Sequence, residues 1–253
     1  MRQHFPTTPP LEPENKCLGC LFMKLEGIPV QPEKQEISKL QPQSAATEQL
    51  NLYLTLQFKE QRELLLGGRF KFGLKGGKLS LKLENCEIPL ESRHLGGFIK
   101  LIVQQERQQQ QDSENPSREK ASLPENKPTV QGNLATQKTA ERMDNFQFIV
   151  CQVTTKNSEE NPAWVFEVET EEPVLKGILN KAKLGTLNVT RQPCRVEATF
   201  EVSPQDVYMT EAEGLWPKNI SKKRSAVIER AIIRHLIERK LKPYLSRQVL
   251  RYE

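Results

Sequence analysis

A chain of 253 residues with only 36% hydrophobic and 27% charged residues carries less apolar material than an ordinary domain of that length, so part of it is expected to stay unfolded. The formal net charge of +5 is unevenly placed: Lys218 to Glu253 holds eleven Lys and Arg against three Glu, a balance of +8, while the rest has 26 basic and 29 acidic residues, a balance of −3. No apolar run has transmembrane length and the N-terminus lacks the apolar core of a secretory signal, so a cytoplasmic protein is expected, with no membrane contact and with its five cysteines reduced.

Residues 1–47 are proline-rich and show no sustained period, which predicts a disordered N-terminal arm; Met23, after the run CLGCLF, offers an alternative start. At Leu50 the pattern changes. Leu50, Leu52, Leu54, Leu56 and Phe58 alternate with polar neighbours, the signature of a half-buried strand and the start of a β domain whose first part covers 48–104. In RFKFGLKGGKLSLKLE the pair Gly76-Gly77 separates two alternating runs and predicts a hairpin with a two-residue type I′ turn. That register opposes Leu74 to Leu79, Phe72 to Leu81 and Phe70 to Leu83, and sets Lys71 against Lys82 and Lys75 against Lys78 on the other face. A short edge strand is expected at Cys86 to Leu90, and GFIKLIVQ, Gly97 to Gln104, reads as a strand buried on both faces.

Residues 105–142 are Gln-rich and nearly free of aromatics, which predicts a disordered insertion in one domain, or a linker between two. Strands resume in 143–217, at Phe146 to Val153, Trp164 to Val168, VLKGIL, GTLNV and CRVEATFEV, where Cys194, Val196, Ala198, Phe200 and Val202 share a face. Short strands without intervening helices predict a mainly β fold (α+β overall), an antiparallel β-sandwich or open barrel. The basic segment 218–253 supplies one C-terminal α-helix and a tail. Ser221 is the expected N-cap, Lys222 to Leu241 the helix and Pro243 its stop; apolar residues nearly encircle its axis, which predicts packing on more than one side.

Chemistry is sparse. Cys17 and Cys20 form a C-x-x-C pair without the second pair that zinc needs, in a segment without the strand-to-helix context of a redox motif, so neither a metal nor a cofactor is expected. His4, His94 and His235 stand near no nucleophile motif, and the diglycines lack the context of a phosphate loop. The expectation is a non-enzymatic interaction or structural module for a protein partner or for self-association, with Trp216, Ile233 and Ile237 as the interface. The alternative is binding of nucleic acid or another polyanion through Lys71, Lys75, Lys78, Lys82, Lys222, Lys223, Arg224, Arg230 and Arg234, with glutamates of neighbouring strands, among them Glu197 and Glu201, able to neutralise the hairpin lysines instead.

Overall fold

The computed structural model describes residues 14–30, 48–65, 67–103, 147–156, 161–169, 172–217 and 219–253. The Gln-rich insertion and residues 1–13 and 31–47 of the expected disordered arm lie outside these. Fourteen strands and one helix are described: β1 (Glu14–Asn15), β2 (Leu21–Pro29), β3 (Gln49–Phe58), β4 (Gln61–Leu65), β5 (Gly68–Leu74), β6 (Gly76–Glu84), β7 (Cys86–Glu87), β8 (Gly97–Val103), β9 (Gln147–Lys156), β10 (Ala163–Val168), β11 (Gly177–Val189), β12 (Cys194–Glu201), β13 (Val207–Glu213), α1 (Lys222–Leu236) and β14 (Ser246–Tyr252).

The fold is mainly antiparallel β, as the alternation requires. Ten strands run in the order β1-β14-β12-β6-β10-β9-β8-β11-β3-β2, and β7 adds to β11 to complete an eleven-stranded sheet. The sheet curls until its ends almost meet, with Gly27 of β2 against the side chain of Leu250 of β14. A second sheet has the order β13-β5-β4. Strands from both sides of the Gln-rich insertion interleave, β6 lying between β10 and β12.

Alternation decides which side chains fill the interior. Leu50, Leu52, Leu54, Leu56 and Phe58 of β3 are buried while the residues between them are half-exposed, and β12 buries Cys194, Val196, Ala198 and Phe200 in the same rhythm. Phe58, Phe166 and Phe200 form an aromatic cluster with ring centroids 5.9 to 6.4 Å apart. Burial of a side chain of this size contributes about 1.5–3 kcal/mol, so this trio anchors three strands far apart in sequence.

The predicted hairpin does not form. β5 pairs with β4 and β13 in the small sheet, whereas β6 pairs with β10 and β12 in the large one, so the chain crosses between sheets at Lys75. Neither Gly76 nor Gly77 has the positive φ of a type I′ turn. They are glycines because other groups sit where a Cβ would stand: Phe166 O lies 2.3 Å from that point at Gly76, and the Phe200 ring 2.3 Å from it at Gly77. Close approach, not turn geometry, explains the diglycine.

Other expectations also change. Within the arm, Glu14–Asn15 and Leu21–Pro29 are strands joined by a turn, with Leu21, Met23 and Leu25 of β2 buried and paired on β3. The strand at 86–90 shortens to β7, followed by a single turn at Leu90–Ser92. The tail after Pro243 is β14, held between β1 and β12 with Leu245, Ser246 and Arg247 buried. The helix begins at Lys222 as expected, but Ser221 makes no side-chain cap bond, and its last turn, Ile237–Leu241, widens to π geometry. Only one side of it is covered: Ile232, Ile233, Leu236, Ile237 and Leu241 are buried, whereas Val227 is 64% exposed. β4 and β13 carried too few large apolar residues to be read as strands beforehand.

Candidate interaction surface

The four lysines of RFKFGLKGGKLSLKLE are distributed over two sheets. Lys71 of β5 contacts Glu60 at 3.2 Å and Glu211 at 3.3 Å. Lys75 lies at the crossing, its ammonium 5.6 Å from the ring centroid of Tyr208. On β6, Lys78 stands opposite Glu201 and Lys82 opposite Glu197 of β12, and Lys82 also reaches Glu84 at 3.7 Å. The glutamates on β12 therefore stand beside the lysines, as the alternating CRVEATFE strand allowed. Next to them Arg195 bridges Glu84 and Glu197 at 3.0 and 2.9 Å. The outer face of β6–β12–β14 is a mixed ionic ladder.

The basic residues of α1 have a different setting. Lys222, Lys223, Arg224, Arg230 and Arg234 are all exposed, and among the described residues none has a carboxylate within 4.0 Å. Three of them lie in the first turn, where the helix dipole disfavours positive charge. Trp216 is half-buried against the core, and Ile233 and Ile237 are buried in it. The two isoleucines are buried in this chain's own core and are not displayed to a partner; they were expected at an interface because both stand on an apolar helix face whose covering the sequence did not reveal.

An exposed apolar surface lies elsewhere, on β8 and β9, where Phe98, Ile102 and Phe148 are all exposed. β8 was expected to be buried on both faces, but only the face of Ile99, Leu101 and Val103 turns inward. The other face shows Phe98 at 66% and Ile102 at 40% exposure, and Ile102 stands directly opposite Phe148, itself 50% exposed. Ile178 of β11 continues the row on one side of Ile102, and Val150 lies beside Phe148 on β9, opposite Lys100. Lys100 places its ammonium 5.6 Å from the Phe148 centroid, the one cation in this apolar row of β8. Lysine at the centre of GFIKLIV was the available signal that this strand has a solvent face.

Residues of catalytic type do not converge with this surface. His94 and His235 are exposed, and no group of three or more His, Cys, Asp or Glu side chains is placed to hold a metal ion among the described residues. No helix among the described residues is long and apolar enough to cross a membrane.

Comparison with known proteins adds little. No family model matches the chain, and no curated protein does. Among solved structures, a chain described as "Pore forming protein" is similar at 7% identity and a TM-score of 0.30, over 78% of this chain and 86% of that one. Likeness at that level carries no functional argument.

Proposed function

We propose that the protein is a non-enzymatic interaction module that docks a protein partner on the outer face of β8 and β9. The observation that carries this reading is the direct pairing of exposed Ile102 with exposed Phe148, extended by Phe98, on neighbouring strands of the large sheet. Large aromatic and aliphatic side chains held by a sheet lose little freedom on binding, and burying each gains about 1.5–3 kcal/mol. The partner has an apolar patch with a carboxylate at its rim, since Lys100 sits within the row and, among the described residues, has no carboxylate within 4.0 Å.

Site-specific photocrosslinking tests the surface. A benzophenone side chain at position 98 or 148 should trap one discrete protein species in the source cells, and Ile102→Glu should abolish that adduct while leaving the circular dichroism unchanged. Trapping that survives Ile102→Glu, or only the chain's own dimer, overturns the reading.

A second reading is polyanion binding through the exposed face of α1, favoured by the cations of that face lacking carboxylate partners. Labelled DNA and RNA should then bind at low salt and lose affinity steeply as salt rises, and Lys222→Ala with Lys223→Ala and Arg224→Ala should reduce the salt slope by about three. Absence of binding at low salt ends this reading.

A further inference from the structure

The C-x-x-C pair was expected in an unfolded arm, and its position in the fold is the reverse of that. Asn15 Oδ1 accepts from Cys17 N at 2.9 Å, while Cys20 N and Leu21 N both donate to Cys17 O, at 3.0 and 3.1 Å. These bonds wind residues 17–20 into one closed turn between β1 and β2. The turn is fixed on both flanks: Lys16 N donates to Leu245 O ahead of β14, and Lys59 N donates to Cys20 O at the end of β3. A hydrogen-bonded turn keeps its first and fourth Cα atoms within about 7 Å, inside the span a disulfide can bridge. The two sulfurs differ in access. Cys20 has no exposed surface and its Sγ donates to Cys17 O at 3.3 Å, whereas Cys17 keeps 9% exposure.

Cys17 also lines a cleft of about 510 Å³ between this turn, β4 and the end of the helical segment, with Leu18, Gln61, Leu236 and Lys240 among its walls. Leu18 is largely exposed at its rim. Gly19 has no Cβ, and Gln61 Oε1 occupies the place one would take. The neighbouring Cys20 thiol holds Cys17 below the usual thiol range, against the effect of burial, and the Lys240 ammonium assists while Glu63 opposes it. Cys20 itself is pushed up, first by that same pairing with Cys17 and then by burial. Cys86 and Cys151 are pushed up to about 12, in each case chiefly by burial.

We infer that Cys17 and Cys20 are a thiol–disulfide exchange pair, with Cys17 the attacking sulfur at the cleft and Cys20 the resolving one behind it, and that the substrate is a small disulfide of the glutathione type. The Cys17 thiolate attacks one sulfur of that disulfide, whose S–S bond breaks and releases one thiolate. Cys20 then gives up its proton and attacks the Cys17 sulfur, closing the Cys17–Cys20 bond and expelling the second thiolate. The two protons from the cysteines convert the leaving thiolates to thiols, and two electrons pass from the protein to the substrate. This chemistry is independent of the β8–β9 surface and is not required by it.

Oxidised glutathione added to the full, reduced chain tests it. Intact mass should fall by two hydrogens and peptide mapping should link Cys17 to Cys20. Cys20→Ser should instead accumulate one glutathionyl group at Cys17, and Cys17→Ser should form neither product. Linkage of Cys86 to Cys194 in preference, an adduct at another cysteine, or no reaction under glutathione ratios that oxidise ordinary dithiols overturns the inference. Should Cys20→Ser fail to fold, limiting oxidised glutathione on the unaltered chain decides it by which cysteine carries the first mixed disulfide.

Discussion

The ring of Phe200 fills the space above Gly77 that any other residue's Cβ would need, with Cε1 2.3 Å from that point. The contact joins β12 to the start of β6 and seats Phe200 against Phe58 and Phe166. It also separates the observed fold from a diglycine hairpin. Asparagine is well tolerated in a type I′ turn, whereas overpacking a filled core costs about 1–3 kcal/mol or more. Gly77→Asn and Gly76→Ala should therefore each lower the unfolding free energy by an amount in that range, read as a lower denaturant midpoint at unchanged slope in equilibrium unfolding. A neutral Gly77→Asn would restore the hairpin.

Glu60 gathers Lys176 at 2.9 Å and Lys71 at 3.2 Å. Burial pushes its carboxyl up, but hydrogen bonds from Thr210, Lys176 and Lys71 outweigh that and hold it below the ordinary value of 4.5. A carboxyl held low in the folded state stabilises the fold above its unfolded value, and that contribution disappears as the pH falls through the folded one. Glu60→Gln should cost on the order of 1–2 kcal/mol at pH 7, because both lysines can still recruit water. The gap between variant and parent should close below pH 4.5, as read by urea unfolding across pH.

Val227 points into solvent among Lys223, Arg224 and Arg230. Val227→Glu places an acid three or four residues from these cations on the helix surface. It should raise stability by about 0.3–1 kcal/mol in thermal unfolding, and less at high salt. The same change should weaken any polyanion binding by α1.

Ending the chain at Leu245 removes β14, which pairs with β12 along seven residues and also holds β1. A free basic tail could be cut without consequence. Here the truncated protein should lose its near-ultraviolet circular dichroism and its cooperative unfolding transition.

Much of this fold was legible because its strands alternate strictly: β3 and β12 follow their apolar period residue by residue, and Lys222 begins the helix. Misreadings arose where one local pattern serves two geometries. The Gly76-Gly77 pair flanked by alternating runs fits a tight hairpin, yet it also fits a crossing between sheets whose glycines make room for Phe200 and the Phe166 carbonyl. That choice depends on strands β10 and β12, some ninety and more residues away. In β2, the alternation of Leu21, Met23 and Leu25 was present, but proline-rich flanks outweighed it. Of the candidate surface, Lys100 was readable as a break in an apolar strand; the exposure of Phe98, Ile102 and Phe148 was not, because no sequence pattern states which of two apolar faces turns inward. The cleft beside Cys17 likewise needed the end of the helical segment, contributed by Leu236 and Lys240, to be brought over residues 17–20.

Lys75 is a single residue joined to both sheets: its N–H donates to Asp206 O at 2.6 Å and its carbonyl accepts from Val168 N at 2.8 Å. With β5 and β6 continuous through it, the small sheet has no hinge of its own. Displacing that sheet means pulling on the β6–β10 ladder, so the two sheets should open together. Amide exchange would then show β5 and β6 protected to the same free energy, as one cooperative unit.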